Sequence, residues 1–196
     1  MDITDLGTIL AQFNAWLEEA NGTEPAYAEA MSLATASKDG MPSVRIVLLK
    51  AVSERGFDFY TNLTSRKGRE LAENPNAALC FHWKSLDKQV RVEGSISAVS
   101  APEADAYFAS RPRASRIGAW ASKQSQVMTD RFEFETRIAK YTAKFNVGDI
   151  PRPDFWSGFR LEPRRIEFWQ EKKFRLHDRN VFVRDGDNWH QEKLYP

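Results

Sequence analysis

The chain has 196 residues, 42% hydrophobic and 28% charged, a globular composition on the scale of one domain that excludes wholesale disorder. Its 28 Lys and Arg against 27 Asp and Glu leave a formal charge of +1, which argues against a protein that coats DNA or RNA. One cysteine, Cys80, excludes an intramolecular disulfide framework, and no apolar stretch approaches the roughly 20 residues that span a bilayer.

The N-terminus, MDITDLGTIL, lacks a basic region followed by an apolar core, so no secretory signal is read and a reducing, cytoplasmic setting is the simplest expectation. Residues 4–20 have Leu6, Ile9, Leu10, Phe13, Trp16 and Leu17 at helical spacing, with Asn21-Gly22 as the expected stop. Strands are expected at 31–35 and 43–49 around the turn Lys38-Asp39-Gly40, then at 57–61. Residues 66–73 read as a helix ending at Asn74-Pro75. The apolar run 77–83 fits a buried strand, and 89–99 alternates, with Val90, Val92, Ile96 and Ala98 on one face and Gln89, Arg91, Glu93 and Ser95 on the other. Helices follow at 102–110, from Pro112 toward Trp120, and at 129–145. Strands at 155–161, 165–169, 181–184 and 189–193 complete the chain, the last two joined by an Asp-Gly turn. Strands with inserted helices, without βαβ alternation, imply an α+β fold, mainly an antiparallel barrel or sandwich with peripheral helices.

No metal site is expected. The three histidines, His82, His177 and His190, stand in no Cys-x-x-Cys or His-Glu-x-x-His spacing. GxGxxG, GxxxxGK[ST] and Gly-x-Ser-x-Gly are also missing, so Rossmann, P-loop and hydrolase-elbow chemistry have no support.

Four segments could carry chemistry. In RIVLLK (45–50), Arg45 and Lys50 bracket a strand; they are either snorkelling ends or anion ligands, and the odd separation puts them on opposite faces of an ideal strand. In TNLTSRKGRE (61–70), Thr64, Ser65, Arg66 and Lys67 sit where a loop enters a helix. Cations there oppose the macrodipole unless an anion is bound, so a phosphate site and a solvated basic turn stay open. Residues 107–126 concentrate Tyr107, Arg111, Arg113, Ser115, Arg116, Lys123, Gln124 and Ser125, groups suited to phosphate. In IEFWQEKKFRLHDR (166–179), Trp169 falls on the polar face of its strand. Arg175, His177 and Arg179 alternate, so an extended chain projects them to one side. The competing reading is a groove for single-stranded nucleic acid lined by Trp120, Trp169 and Phe174, against which the balanced charge argues.

Taken together, RIVLLK, FYTNLTSRKG, QVRVEG, SRPRASRIGAWASKQS, FWSGFR, IEFWQ and RLHDR resemble, in order and approximate spacing, the pyridoxine (pyridoxamine) 5′-phosphate oxidase family, from about Ala30 to the C-terminus. The resemblance implies a single FMN-binding split-barrel domain over 1–196, with an N-terminal helix in 1–25 and strands in 150–196 that complete the active site. It implies a homodimer with FMN in the subunit interface, both chains lining each site, and no nucleic-acid or membrane partner. Carried over by motif, Arg45, Ile46, Val47, Leu48, Leu49 and Lys50 line the cofactor, with Tyr60, Thr61, Arg66, Lys67, Gln89, Gln124, Ser125, Trp169 and Arg179. Lys50, Tyr107, Arg111 and Ser115 hold the substrate phosphate, and Arg175, Leu176 and His177 lie at the substrate, Arg175 and His177 serving as catalytic orienting and electrostatic groups over the pyridine ring. The implied reaction oxidises pyridoxine or pyridoxamine 5′-phosphate to pyridoxal 5′-phosphate, with hydride passing from C4′ to flavin N5 and O2 becoming H2O2.

The chain departs from the family pattern in three places. It begins close to its first helix, where members usually carry a longer basic segment that folds over the site; the loop after Trp169 reads QEKKF without the glycine often found there; and the C-terminus reads KLYP where RLAP is typical. The alternatives are a split-barrel reductase with another substrate and a non-catalytic carrier of flavin or pyridoxal phosphate.

Overall fold

The computed structural model describes residues 3–196. Ten strands make one sheet: β1 (Ile3–Thr4), β2 (Ala30–Ala36), β3 (Pro42–Leu48), β4 (Ala51–Ser53), β5 (Gly56–Asn62), β6 (Asn76–Trp83), β7 (Lys88–Ala98), β8 (Trp156–Gln170), β9 (Asp178–Asp185) and β10 (Asn188–Lys193). Five α-helices accompany them: α1 (Leu6–Thr23), α2 (Arg66–Glu73), α3 (Ala101–Ser110), α4 (Arg113–Ala121) and α5 (Glu133–Lys144). The strand order is β1-β10-β9-β8-β7-β6-β2-β3, and every pairing among the described residues is antiparallel, which bears out the α+β expectation.

Strand β8 explains the curl. Along one edge it pairs with β7. On the other edge its first half, Trp156–Leu161, pairs with β5 and its second, Arg165–Gln170, with β9. Two partners leave in different directions from one strand, and the sheet becomes a curled half-barrel. The sequence suggested two strands here, at 155–161 and 165–169. They are one because Pro163, which cannot donate to a ladder, sits at a bulge opposite Gly94, where the register shifts. Gly94 is required by the same approach, since a Cβ there would stand 2.0 Å from the Glu162 carbonyl oxygen.

Helix α1 fills the half-barrel. Asp5 caps it by accepting from the Thr8 amide at 2.9 Å. Phe13, fully buried, meets Phe57 and Phe81 edge-on at 5.1 and 5.0 Å. Burial of one such ring contributes roughly 1.5–3 kcal/mol. The helix runs through Asn21-Gly22, which therefore do not stop it. It ends because Glu24 precedes Pro25 and is driven to extended geometry (φ −70°, ψ 140°).

Other boundaries moved less. β4 was not anticipated, and α5 starts at Glu133, after a turn, where 129 was expected. The alternation of β7 holds for Val90, Val92 and Ile96, all buried, but ends before Ala98, which is exposed. A second apolar cluster of Phe108, Ile117, Phe145, Ile150 and Trp156 ties α3, α4 and α5 to the start of β8. Arg113 and Lys123, both read as possible phosphate ligands, serve this helical layer. Arg113 donates to the Phe145 and Gly148 carbonyls beyond α5, and Lys123 pairs with Glu133 at 2.7 Å. The helical layer thus stands opposite β3 and α2, with a cleft between them.

Candidate active site

The cleft has a volume of about 990 Å³. Its floor is β3 and the end of β5, one wall is the start of α2, and the other is built by α3, α4 and the loop after α4. Helix α2 begins where Ser65 accepts from the Gly68 amide, and Asn62 folds the preceding turn by accepting from the Thr64 amide and hydroxyl at 2.8 Å each. No acidic residue occupies the first turn of α2, so its exposed amides and Arg66 and Lys67 face the cleft together.

Lys67 is the pivot. Its stem and ammonium are buried, yet among the described residues it pairs with no carboxylate. The ammonium donates to Gln124 Oε1 at 3.1 Å, Thr61 Oγ1 at 3.2 Å and Ser65 Oγ at 3.4 Å. Thr61 in turn donates to Gln124 Oε1 at 3.2 Å. Three expected site residues, from two separate stretches of sequence, therefore meet at one point. Burial lowers the Lys67 pKa, and the nearby Arg45 charge adds to this against the attraction of Glu70.

Arg45 lines the floor. It donates to the Leu33 carbonyl at 3.1 Å and to the hydroxyls of Thr35 (2.6 Å) and Ser43. Lys50, expected on the opposite face, lines the same cleft, because β3 ends at Leu48 and the strand rule no longer applies beyond it. Ile46, Val47 and Leu48 also line it, whereas the Leu49 side chain is buried in the core.

At the other end, Tyr60, Tyr107 and Trp156 stack, with Tyr60 4.0 Å from Tyr107 and 5.4 Å from Trp156 between ring centroids. Arg111 lies over Trp156 at 4.8 Å, and its Nη1 is buried without a hydrogen-bond partner. Burial lowers the Arg111 pKa and raises those of both tyrosines. A guanidinium held against an aromatic face, in a cleft that Ser115 also lines, is chemically suited to an anion. Ser125 lines the cleft at φ +66°, a strained position for a residue with a side chain.

The remaining expected residues lie elsewhere on the chain. Gln89, Trp169 and Arg179 form one row across β7, β8 and β9. Arg179 is pinned by Glu167, with Nε at 2.9 Å, and by the Tyr195 carbonyl at 3.1 Å. His177 lies 4.9 Å from Trp169 between ring centroids. Arg175, Leu176 and the aromatic Phe174 are exposed. The expected one-sided row of Arg175, His177 and Arg179 does not form, because Lys173–Arg175 make a tight turn with Phe174 and Arg175 at positive φ. Among the described residues of one chain, none of this second group lines the cleft.

Sequence reasoning missed Asn62, Ser122 and Trp156, which line the cleft, and Glu70 behind it. Asn62 and Glu70 flank the TSRKG motif, but nothing local distinguishes a turn-forming Asn or an i+4 helix carboxylate from ordinary surface residues.

In total five cations line the cleft, Arg45, Lys50, Arg66, Lys67 and Arg111, and among the described residues no carboxylate does. Such a surface fits anionic ligands with two or more phosphate-like groups, each carrying about −1.5 to −2 at neutral pH. Among the described residues no cluster of side chains suits a metal, and no helix is long and apolar enough to cross a membrane.

Residues 17–145 match a family model described as pyridoxamine 5′-phosphate oxidase, and residues 156–196 match one described as the pyridoxine 5′-phosphate oxidase C-terminal dimerisation region. A Rhodospirillum rubrum protein named pyridoxine/pyridoxamine 5′-phosphate oxidase is 59% identical over 191 residues, covering 95% of this chain and 95% of its own. A Gluconobacter oxydans protein of the same name is 59% identical over 186 residues, covering 95% and 93%. Among solved structures, PhzG from Burkholderia lata, in complex with tetrahydrophenazine-1-carboxylic acid, shares 33% identity at a TM-score of 0.89, covering 98% of this chain and 93% of its own. A pyridoxamine 5′-phosphate oxidase-related, FMN-binding protein from Nostoc punctiforme shares the fold at a TM-score of 0.77 and 19% identity, covering 95% and 96%.

Proposed function

The chain belongs to the pyridoxamine 5′-phosphate oxidase family, and on that premise we propose that it oxidises pyridoxine 5′-phosphate and pyridoxamine 5′-phosphate to pyridoxal 5′-phosphate, using FMN and O2 in a homodimer. The alcohol and O2 give the aldehyde and H2O2; the amine, O2 and water give the aldehyde, ammonia and H2O2. The observation that carries this reading is the cleft lined by five cations and, among the described residues, no carboxylate, because cofactor and substrate each bring a phosphate ester to it.

The residues fit FMN. Arg45, Arg66 and Lys67 surround the α2 N-terminus, where amide donors and three positive charges suit a terminal phosphate. Gln124, Ser125, Tyr60 and Thr61 line the cleft beside them, and Ile46, Val47 and Leu48 offer an apolar floor for a flat ring. When bound, FMN supplies the two-electron redox chemistry between the substrate carbon and O2.

The chain's own work is placement. Lys50, Tyr107, Arg111 and Ser115, which all line the cleft, hold the substrate phosphate. Two phosphates fixed at opposite ends of one cleft leave the substrate ring little freedom, and orientation of this kind accounts for a large share of such rate enhancements. The residues absent from the cleft of one chain, Gln89, Trp169, Arg175, Leu176, His177 and Arg179, are read as reaching the cleft of the other subunit. Trp169 and Arg179 lie within the segment matched to the dimerisation region, as do Arg175, Leu176 and His177. There Gln89, Trp169 and Arg179 would face the cofactor, while Arg175 and His177 would orient the pyridine ring. In this reading 1–196 is one domain whose segment 150–196 completes the site of its twin.

The test is an oxygen-electrode assay on protein reconstituted with FMN. Oxygen uptake on adding pyridoxamine or pyridoxine 5′-phosphate, with one H2O2 formed per pyridoxal 5′-phosphate, is the expected result. A yellow protein that consumes no oxygen with either substrate would be a reductase or a carrier, and a protein that stays colourless in FMN would have no flavin site.

A further inference from the structure

Glu70 is a buried carboxylate on α2, 6% exposed, and it does not line the cleft. It stands behind two residues that do. Its Oε1 accepts from Arg66 Nε at 2.8 Å. Its Oε2 accepts from the hydroxyls of Ser43 at 2.6 Å and Thr35 at 2.5 Å, and lies 3.3 Å from Arg45 Nη2. The same two hydroxyls accept from the Arg45 fork. One carboxylate therefore links a helix arginine, a strand arginine and two strand hydroxyls into a single closed network across α2, β2 and β3.

We propose that Glu70 is the positioning residue of the cofactor-phosphate site, fixing the guanidinium groups of Arg45 and Arg66 so that the donors it leaves free, Arg45 Nε and the Nη groups of Arg66, are held in place in the cleft that Lys67 also lines. The inference rests on the FMN reading above and adds a residue that touches neither cofactor nor substrate. The physical argument is one of opposed effects. A carboxylate near a phosphate site repels the anion, so a buried one there lowers affinity unless it returns more by ordering. Arginine side chains carry about 2 kcal/mol of rotamer entropy, and two of them held in place before the anion arrives lose less when it binds. Burial among two guanidiniums and two hydroxyls also turns both oxygens of the carboxylate toward donors within the network and away from the cleft, which Glu70 does not line.

The two effects predict opposite signs, which makes the test sharp. Full-length apoprotein is titrated with FMN and, separately, with riboflavin, which has the same ring and no phosphate, reading the flavin fluorescence. Wild type binding FMN well above riboflavin is the baseline. In Glu70→Gln, the amide keeps the volume but turns one acceptor into a donor, so one arginine or the hydroxyl pair loses its partner. FMN affinity is expected to fall about tenfold while riboflavin affinity stays within twofold. Glu70→Asp keeps the charge but retracts it by one methylene, and is expected to show the same FMN-selective loss; it carries the test if Glu70→Gln does not fold. Tighter FMN binding by Glu70→Gln, or wild-type FMN affinity in Glu70→Asp, would show a charge-balancing role and overturn the inference. Parallel loss of FMN and riboflavin would show a merely structural role and overturn it as well. If wild type itself fails to prefer FMN, the cofactor reading falls and this inference falls with it.

Discussion

Lys67→Met removes an ammonium and keeps a stem of four heavy atoms, and its consequences separate binding from stability. In the folded protein the ammonium has three neutral acceptors at 3.1–3.4 Å. A charge-assisted hydrogen bond to a phosphate is worth about 1.5–3 kcal/mol, so the FMN dissociation constant is expected to rise about 10- to 150-fold. Without flavin the sign reverses. Burial, and then the like charge of Arg45, hold the Lys67 pKa below 10.5. A cation with a depressed pKa costs stability in full below its folded value, and that cost fades as pH rises through the folded value toward 10.5. The Lys67→Met apoprotein should therefore melt at higher temperature than wild type at pH 7, with the gap closing as the buffer is made alkaline. Flavin fluorescence titration measures the first effect and thermal melts of apoprotein across pH measure the second. Unchanged FMN affinity, or a variant apoprotein that melts below wild type at pH 7, refutes the reasoning.

Arg175→Ala and His177→Ala should lower turnover by at least tenfold while the purified protein keeps its bound FMN; release of flavin instead would put these residues on the cofactor side. Asp58→Ala breaks a buried bidentate pair with Arg160, whose contacts are 2.7 and 2.6 Å, and leaves only Glu103 at 3.1 Å. About 3 kcal/mol of stability should be lost in denaturant titration, with the substrate KM unchanged if the protein is assayed well below its melting point. For Glu70, burial alone would raise the carboxyl pKa, but hydrogen bonds from Ser43, Thr35 and Arg66 hold it at about 2 in place of 4.5. A depressed carboxylate stabilises above its unfolded pKa and loses that contribution as pH falls from 4.5 through 2, here about 3 kcal/mol. Acid unfolding of Glu70→Gln should show a correspondingly flatter slope over that window, and an unchanged slope would mean another carboxylate dominates it.

Local signals located most elements because they act locally. The end of α2 follows from Asn74 before Pro75, as read from the sequence, while its start is set by the Ser65 cap, which the sequence reading did not name. Where the outcome differed, a stronger local signal or tertiary pairing had overridden the local stop. Asn21-Gly22 stay helical because the strong terminator is Pro25, and Pro163 stays inside β8 because Gly94 accommodates a bulge opposite it. Alternation failed for Arg175, His177 and Arg179 because it presumes an extended backbone, which the turn at Lys173–Arg175 does not supply. The individual site residues were readable as phosphate-seeking types, but their convergence was not. No periodicity brings Thr61, Lys67 and Gln124 to one point; only the order of motifs across the whole chain pointed there.

The division of the expected residues into two groups is itself an argument about assembly. Gln89, Trp169 and Arg179 occupy one register row on three neighbouring strands, so they act as a rigid unit and cannot be turned separately toward the cleft. Arg179 is further locked by Glu167 and the Tyr195 carbonyl, which fixes its fork. A side-chain rearrangement that brought this row to the cleft of its own chain would have to break the β7–β8–β9 ladder through the core residues Val90, Val92, Ile166 and Phe168, all buried. Joining the groups by docking a second copy requires no such rupture. Mixing a Lys67→Met chain with an Arg175→Ala chain should therefore restore activity to the heterodimers at one of their two clefts, the one that has both halves intact. Mixed protein as inactive as its parents, with subunit exchange confirmed by mass spectrometry, would place both groups in the same chain's site and sink the two-subunit reading.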